Sequence, residues 1–354
     1  MSSLGESILG RYMTNSYRLT KEQEQKALDI HAKSIVIDGL GCPTETGEQF
    51  SRMIQGGVSG VNWTIVDLGH EFADAAHDVA KWYSLFRDHE DKIMMVTLGQ
   101  HVLDAKNRRK LGIIFGLQDP RPIGDDITLL EALYRLGVRV IQLTYNERNL
   151  IGDGAGEETD CGLSSFGEKA VEEMNRLGIL IDLSHCGRRT GIEATETSKH
   201  PVVFSHANAK ALCKSTRNKS DEELKMVAEK GGVIGANSWG PTIWSRQGQA
   251  PTIEDYLNQI DYMVRLVGAD HVGIGLDISE GVYTKEIWTK GYKAKYPQII
   301  PDWITFETKY AQDLNSYLHV PNITKGLVGR GYSDQEIKKI LGGNFLRVFE
   351  TTWK

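Results

Sequence analysis

Residues 162–218 read GLSSFGEKAVEEMNRLGILIDLSHCGRRTGIEATETSKHPVVFSHANAKALCKSTRN. Apolar positions between 166 and 177 recur at helical spacing, and the Leu177-Gly178 pair that ends them supplies a glycine C-cap feeding the next element. Residues 179–183, and again 202–205, are short apolar runs without an alternating polar face, the pattern of strands buried on both sides. Each run leads into a Ser-His pair, at His185 and His206.

Outward from this block the same alternation continues. Further runs of strand type occupy 34–37, 60–66, 92–97, 111–117, 138–143, 233–237 and 272–276, with amphipathic segments at 127–136, 221–230 and 253–267. The Leu136-Gly137 and Gly231-Gly232 pairs repeat the glycine stop before a strand. Strands alternating with helices of this length imply βαβ units and a parallel sheet, and 354 residues suit one (β/α)8 TIM barrel spanning 1–354. Nine candidates compete for eight barrel places, so one is accessory, either 92–97 or 60–66. Residues 1–32 read as a helical lead-in. Residues 279–322, which carry Trp288, Tyr292, Tyr296, Trp303 and Tyr310, read as an elaborated loop after the last strand, followed by a closing helix at 334–341.

Charge and composition narrow the function. A net charge of −6 offers no basic footprint for nucleic acid. The first residues contain no apolar run long enough for a signal peptide or a membrane span. Cys42, Cys161, Cys186 and Cys213 lie far apart with no CxxC pair, which argues against a disulfide framework or zinc ribbon. A cytoplasmic protein, forming a homodimer or higher homo-oligomer, is expected.

In a (β/α)8 barrel the working residues stand at the C-terminal ends of the strands. Those positions hold Asp38 and Cys42, Gln118 and Asp119, Tyr145, His185, His206, Asn237 and Trp239, and Asp277. Two histidines and an aspartate at three strand ends can converge on one metal, and imidazole with carboxylate suits zinc. Read singly they have plainer uses: Asp277 can cap its loop, and Tyr145 and Trp239 can be packing residues. Cys42 is a ligand, a nucleophile or an inert residue before Pro43, and a thiolate needs a cation, metal or helix N-terminus to lower its pKa.

The block 162–218 resembles the region of membrane (renal) dipeptidases that carries two zinc-binding histidines and a substrate-binding arginine. YRLGVRVIQLTYNERN, ADHVGIGLDISEGV and YSDQEIKKILGGNFLRVFETTW resemble that family's fourth-strand, last-strand and C-terminal segments. The resemblance implies a barrel of the metal-dependent amidohydrolase type. It further implies that His185 and His206 bind a metal, that Arg217 grips the substrate carboxylate from a strand-end loop, and that Asp277 lies beside the metal as proton acceptor or ligand.

Departures from the family pattern are as informative. Leu40 and Cys42 stand where the family has its His-x-Asp pair, Gln118 where it has a bridging glutamate, and Tyr145 where a histidine polarises the scissile carbonyl. Two nearby divalent cations repel, so losing an anionic bridge and a ligand histidine should abolish one site. The expectation is an enzyme with at most one divalent transition metal, zinc, on His185 and His206 with a third donor from Cys42, Gln118 or Asp277. Its substrate would be a small carboxylate held by Arg217, Tyr145, Asn237 and Trp239, with Asp277, Tyr145 and Cys42 as candidate catalytic groups. The reaction would be amide hydrolysis or a decarboxylation, elimination or isomerisation. The competing expectations are a metal-free enzyme using Cys42 and Tyr145, and an inactive binding or regulatory protein that keeps the pocket.

Overall fold

A computed structural model describes residues 19–354. Nine parallel strands follow in order: β1 (Ile37–Gly41), β2 (Gly60–Thr64), β3 (Ile93–Val96), β4 (Leu111–Leu117), β5 (Val138–Gln142), β6 (Leu180–Asp182), β7 (Val203–Phe204), β8 (Val233–Ala236) and β9 (Val272–Ile274). Their spatial order is β2-β1-β9-β8-β7-β6-β5-β4, and β4 pairs back onto β2 to close eight strands into a barrel. The accessory strand is β3, within the 92–97 candidate. It pairs with the lower part of β4 (Leu111 to Ile114), while β5 takes Phe115 to Leu117 above it.

The first strand lies later than 34–37. Ser34 instead caps the helix Lys21–Lys33, its hydroxyl donating to the Ile30 carbonyl at 2.7 Å. Pairing starts at Ile37 against Gly60 and runs on through glycines that carry no apolar signal. Gly39 has a steric reason: a Cβ there would sit 2.4 Å from the Ser205 carbonyl oxygen and 2.6 Å from the Phe345 ring. Asp38 is therefore inside β1, fully buried, and not in the loop beyond it. Of the expected lead-in, 1–18 lies outside the described residues, and a helix with a Thr20/Gln23 capping box occupies Lys21–Lys33.

Local signals set the outer helices. Ser164 caps Ser165–Leu177 and Gly178 ends it with φ +83°. Ser220/Glu223 and Thr252/Asp255 capping boxes start Asp221–Glu229 and Ile253–Val267. The lower barrel interior is filled by Ile37, Ile114, Val140, Leu180, Val203 and Val233 around Phe345, Phe349 and Trp353. These aromatic side chains belong to the terminal helix Asn344–Thr352 and the residue after it, so the chain's end plugs the N-terminal side of its own barrel. The closing helix at 334–341 is a shorter one, Asp334–Lys338, then a wide turn into that plug. Residues 279–322 carry helical turns at Ile287–Lys293, Phe306–Thr308 and Tyr317–His319. Their Trp288, Tyr296, Tyr310 and Tyr317 are buried against the barrel's C-terminal end. Among the described residues no helix is long and apolar enough to cross a membrane.

Candidate active site

Asp182, the last residue of β6, organises the floor. Its carboxylate accepts from the Ser184 backbone and hydroxyl (3.0 and 2.6 Å) and from the Ser205 backbone and hydroxyl (3.0 and 2.5 Å). The two Ser-His pairs are thus pinned to one anion, which brings His185 and His206 together. His185 Nδ1 donates to Asn146 Oδ1 at 2.7 Å. Because the Ser205 hydroxyl is given to Asp182, His206 Nδ1 donates to Ser205 Oγ at 2.7 Å. Both Nε2 lone pairs then face each other at 2.9 Å. Burial first, then the Arg217 charge, holds both imidazoles well below their usual pKa, so they are neutral. Neutral imidazoles with pinned Nδ1 and converging Nε2 atoms are the arrangement of metal ligands with their outer partners in place.

The rest of the donor set fits less well. Among the described residues no three His, Cys, Asp or Glu side chains converge as a metal-binding group. Leu40 is apolar and buried. Gln118 Nε2 donates to Thr64 Oγ1 at 2.7 Å. The residues present therefore fit one ion, through two imidazoles and one ligand fewer than a catalytic zinc usually has, beside a guanidinium that opposes it. They do not fit a pair of ions.

Cys42 stands apart from the imidazoles. Its Sγ lies 3.0 Å from Ser279 Oγ, and burial, with Asp277 next in effect, pushes its thiol up to about 12. Nucleophilic attack requires the opposite shift, and here burial, then the nearby Asp277, works against it. Arg217 does lie in the loop between β7 and the helix Asp221–Glu229, but buried and not solvent-facing. Arg217 is only 2% exposed, and its Nη1 donates to the Ser184 carbonyl. Among the described residues no carboxylate lies within ion-pair reach of it, although Asp277, Tyr145 and Tyr292 are close enough to act on its charge.

A cavity of about 580 Å³ opens above this floor. Cys42, Gln118, Tyr145, Trp239 and Asp277 all line it, while His185, His206 and Arg217 are buried and outside its lining. Asn237 reaches it indirectly, its Nδ2 donating to Asp277 Oδ2 at 3.3 Å and its Oδ1 accepting from the Trp239 backbone at 2.6 Å. Burial, against the opposing pull of Arg217, raises Asp277 to about 6. Tyr145 stacks on His185 with centroids 4.2 Å apart, and its hydroxyl is 2.8 Å from that of Tyr292. Burial pushes the Tyr145 phenol well above its ordinary value, so it keeps its proton. Asp277 and Asn146 both have φ +58°, a left-handed backbone that side-chain-bearing residues adopt at a cost and that clusters at functional sites.

Sequence reasoning missed Asp182, Asn146 and Tyr292. The paired Ser-His words were a signal for a shared anion below them. Nothing local marks Tyr292, which arrives from the 279–322 segment.

Fold and site together define a (β/α)8 barrel of the metal-dependent hydrolase class, with its chemistry at the C-terminal strand ends. The chain matches the model of Membrane dipeptidase (Peptidase family M19) over residues 24–300 and 302–354, and it belongs to that family. It is 27% identical to Dipeptidase tcpJ of Claviceps purpurea over 312 residues, covering 84% of this chain and 67% of that protein. With Dipeptidase 3 of Rattus norvegicus it shares 30% over 248 residues, covering 68% of this chain and 45% of the relative. An amidohydrolase from Pseudomonas aeruginosa superposes with a TM-score of 0.85 at 34% identity, covering 92% of this chain and 99% of the other. A metallo peptidase from Rhodobacter sphaeroides, solved with a phosphinate mimic of the dipeptide L-Ala-D-Ala, shares the fold at TM-score 0.75 and 20% identity.

Proposed function

We propose that this chain is a dipeptidase-like enzyme with at most one divalent transition metal, acting on a small carboxylate-bearing substrate through Asp277 and Tyr145. The observation that carries the reading is the cavity lined by both groups, with the buried guanidinium of Arg217, which has no ion-pair partner among the described residues, near enough to act on them. A guanidinium fork suits a carboxylate. Removing this one from water without an anionic partner costs free energy that a bound anion recovers.

Asp277 serves as the base. A carboxyl poised at about 6 is ionised at neutral pH, yet basic enough to take a proton in the transition state. Asn237 fixes one of its oxygens. Tyr145 serves as hydrogen-bond donor to the substrate oxygen on which negative charge develops, since its phenol stays protonated. For amide hydrolysis Asp277 takes a proton from the attacking water; for isomerisation or elimination it takes one from the carbon beside a carbonyl. A zinc ion on His185 and His206 would add polarisation of a substrate or water oxygen.

The test is calorimetric affinity for a small carboxylate selected by thermal shift. Arg217→Ala should weaken it about 10- to 100-fold, from the roughly 1.5–3 kcal/mol of a charged hydrogen bond, and Arg217→Lys should recover part. Unchanged affinity in a folded Arg217→Ala protein would refute the reading. A catalytically silent binding protein is the second reading. It is favoured by Leu40 and Gln118 at positions where the family carries ligands, and is distinguished by tight binding without turnover.

A further inference from the structure

Seven of the 21 residues lining the cavity are aromatic, far more than holding a small carboxylate requires. Tyr292 is their hub, with ring centroids 6.1 Å from Trp239, 6.0 Å from Tyr283 and 5.2 Å from Tyr296, at interplanar angles of 75°, 42° and 62°. Rings set at such angles form walls, not a stack. Charge adds to this. Of the four charged lining residues, Lys81 is paired with Glu45, which leaves Asp67 and Asp277 as the wall's remaining carboxylates. The cavity lining is therefore anionic and aromatic, with the cationic Arg217 outside it but near enough to act on Asp277, Tyr145 and Tyr292.

The hydrogen-bonding state of the rings selects among cations. The Tyr145 and Tyr292 hydroxyls share one hydrogen bond at 2.8 Å, which leaves one of the two protons free to donate, and the Tyr310 hydroxyl accepts from the Ser279 backbone at 2.8 Å. Indole N–H groups are donors only. A primary ammonium brings three donors, and set among ring faces it leaves some of them without an acceptor. A methylated ammonium needs none and gains from the ring faces and the nearby carboxylates. We propose that the cavity is a site for a zwitterion with a methylated, permanently charged ammonium group, its cation among Trp239, Tyr283 and Tyr292 and its carboxylate directed to Arg217. The proposal rests on the carboxylate reading above and names the other end of the same guest.

The probes are 4-(trimethylammonio)butanoate, its neutral isostere 5,5-dimethylhexanoate, and 4-aminobutanoate, titrated calorimetrically into the full chain. The trimethylammonio acid should bind about tenfold tighter than either of the others, the scale of one desolvated cation–π contact. Tyr283→Leu, at a half-buried position, and Trp239→Leu should each erase that preference while leaving the isostere's affinity in place. Arg217→Ala should weaken both the cation and its isostere by the same factor. Equal or tighter binding of the neutral isostere or the primary amine would overturn the cation assignment and leave the carboxylate reading standing. Binding of none of the three at millimolar concentration would overturn the carboxylate reading and this inference with it.

Discussion

Tyr317→Phe tests how the 279–322 segment is fastened to the barrel, without needing a substrate. The Tyr317 hydroxyl donates at 2.9 Å to Asp38 Oδ2, a fully buried carboxyl whose Oδ1 accepts from the Leu276 and Leu40 backbones at 2.7 and 3.3 Å. Burial raises Asp38 to about 7, and the Tyr317 bond is one of the contacts holding it from rising further. The sign follows from that. A carboxyl raised in the folded state gives most stability below its unfolded value near 3.9 and loses it as pH climbs through about 7. Deleting the phenol makes that loss larger. At pH 8.5 a charged hydrogen bond is lost, about 1.5–3 kcal/mol; at pH 5.5 a neutral one, about 0.5–1.5 kcal/mol. With an unfolding entropy of about 2.1 cal/mol/K per residue over 354 residues, the melting temperature should fall roughly 2–4 °C at pH 8.5 and 1–2 °C at pH 5.5. Calorimetric melts at the two pH values measure it. A shift that is the same at both, or larger in acid, would refute the assignment of charge to Asp38 and the role of Tyr317 as its partner.

Elemental analysis after zinc loading and dialysis should find at most one ion per chain, and two would mean that Asp38, Cys42 or Asp119 replaces the lost coordination. Hydrolysis of simple dipeptides should be slow or absent, because one oxyanion donor alone is worth about 10²–10³ in rate; turnover near the ordinary ~10 s⁻¹ on a dipeptide panel would show that Leu40, Gln118 and Tyr145 cost nothing. For whatever substrate is found, kcat/KM should rise as pH increases through about 6 while Asp277 ionises, and Asp277→Asn should remove that limb of the profile. Arg217→Ala, besides its binding effect, should lower stability measurably, since it truncates one of the largest fully buried side chains; an unchanged melting temperature would contradict that burial.

The barrel was legible because burial on both faces of a parallel strand writes long apolar runs, and glycine stops punctuate them. Where the chain departs from that grammar, reading fails. Gly39 and Gly41 contribute backbone pairing and space, not hydrophobicity, so the sequence pattern places β1 too early and Asp38 just past its end. Arg217 follows the polar stretch Lys214-Ser215-Thr216, which looks solvated; only the fold buries it against Ser184. Tyr292 and Tyr317 act at sites set by β5 and β1, more than a hundred residues away in sequence. The candidate site divides along the same line. His185, His206 and Asp277 end strands and could be found by position, whereas the charges that tune them come from across the barrel. Burial and then Arg217 depress both imidazoles, and burial raises Asp277 to about 6 against the opposing pull of Arg217. One buried guanidinium thus weakens the metal site and keeps the base ionisable near neutrality. On the function proposed above, a site with the neutral amide of Gln118 and the buried cation of Arg217 is better arranged for proton transfer on a bound anion than for holding two cations.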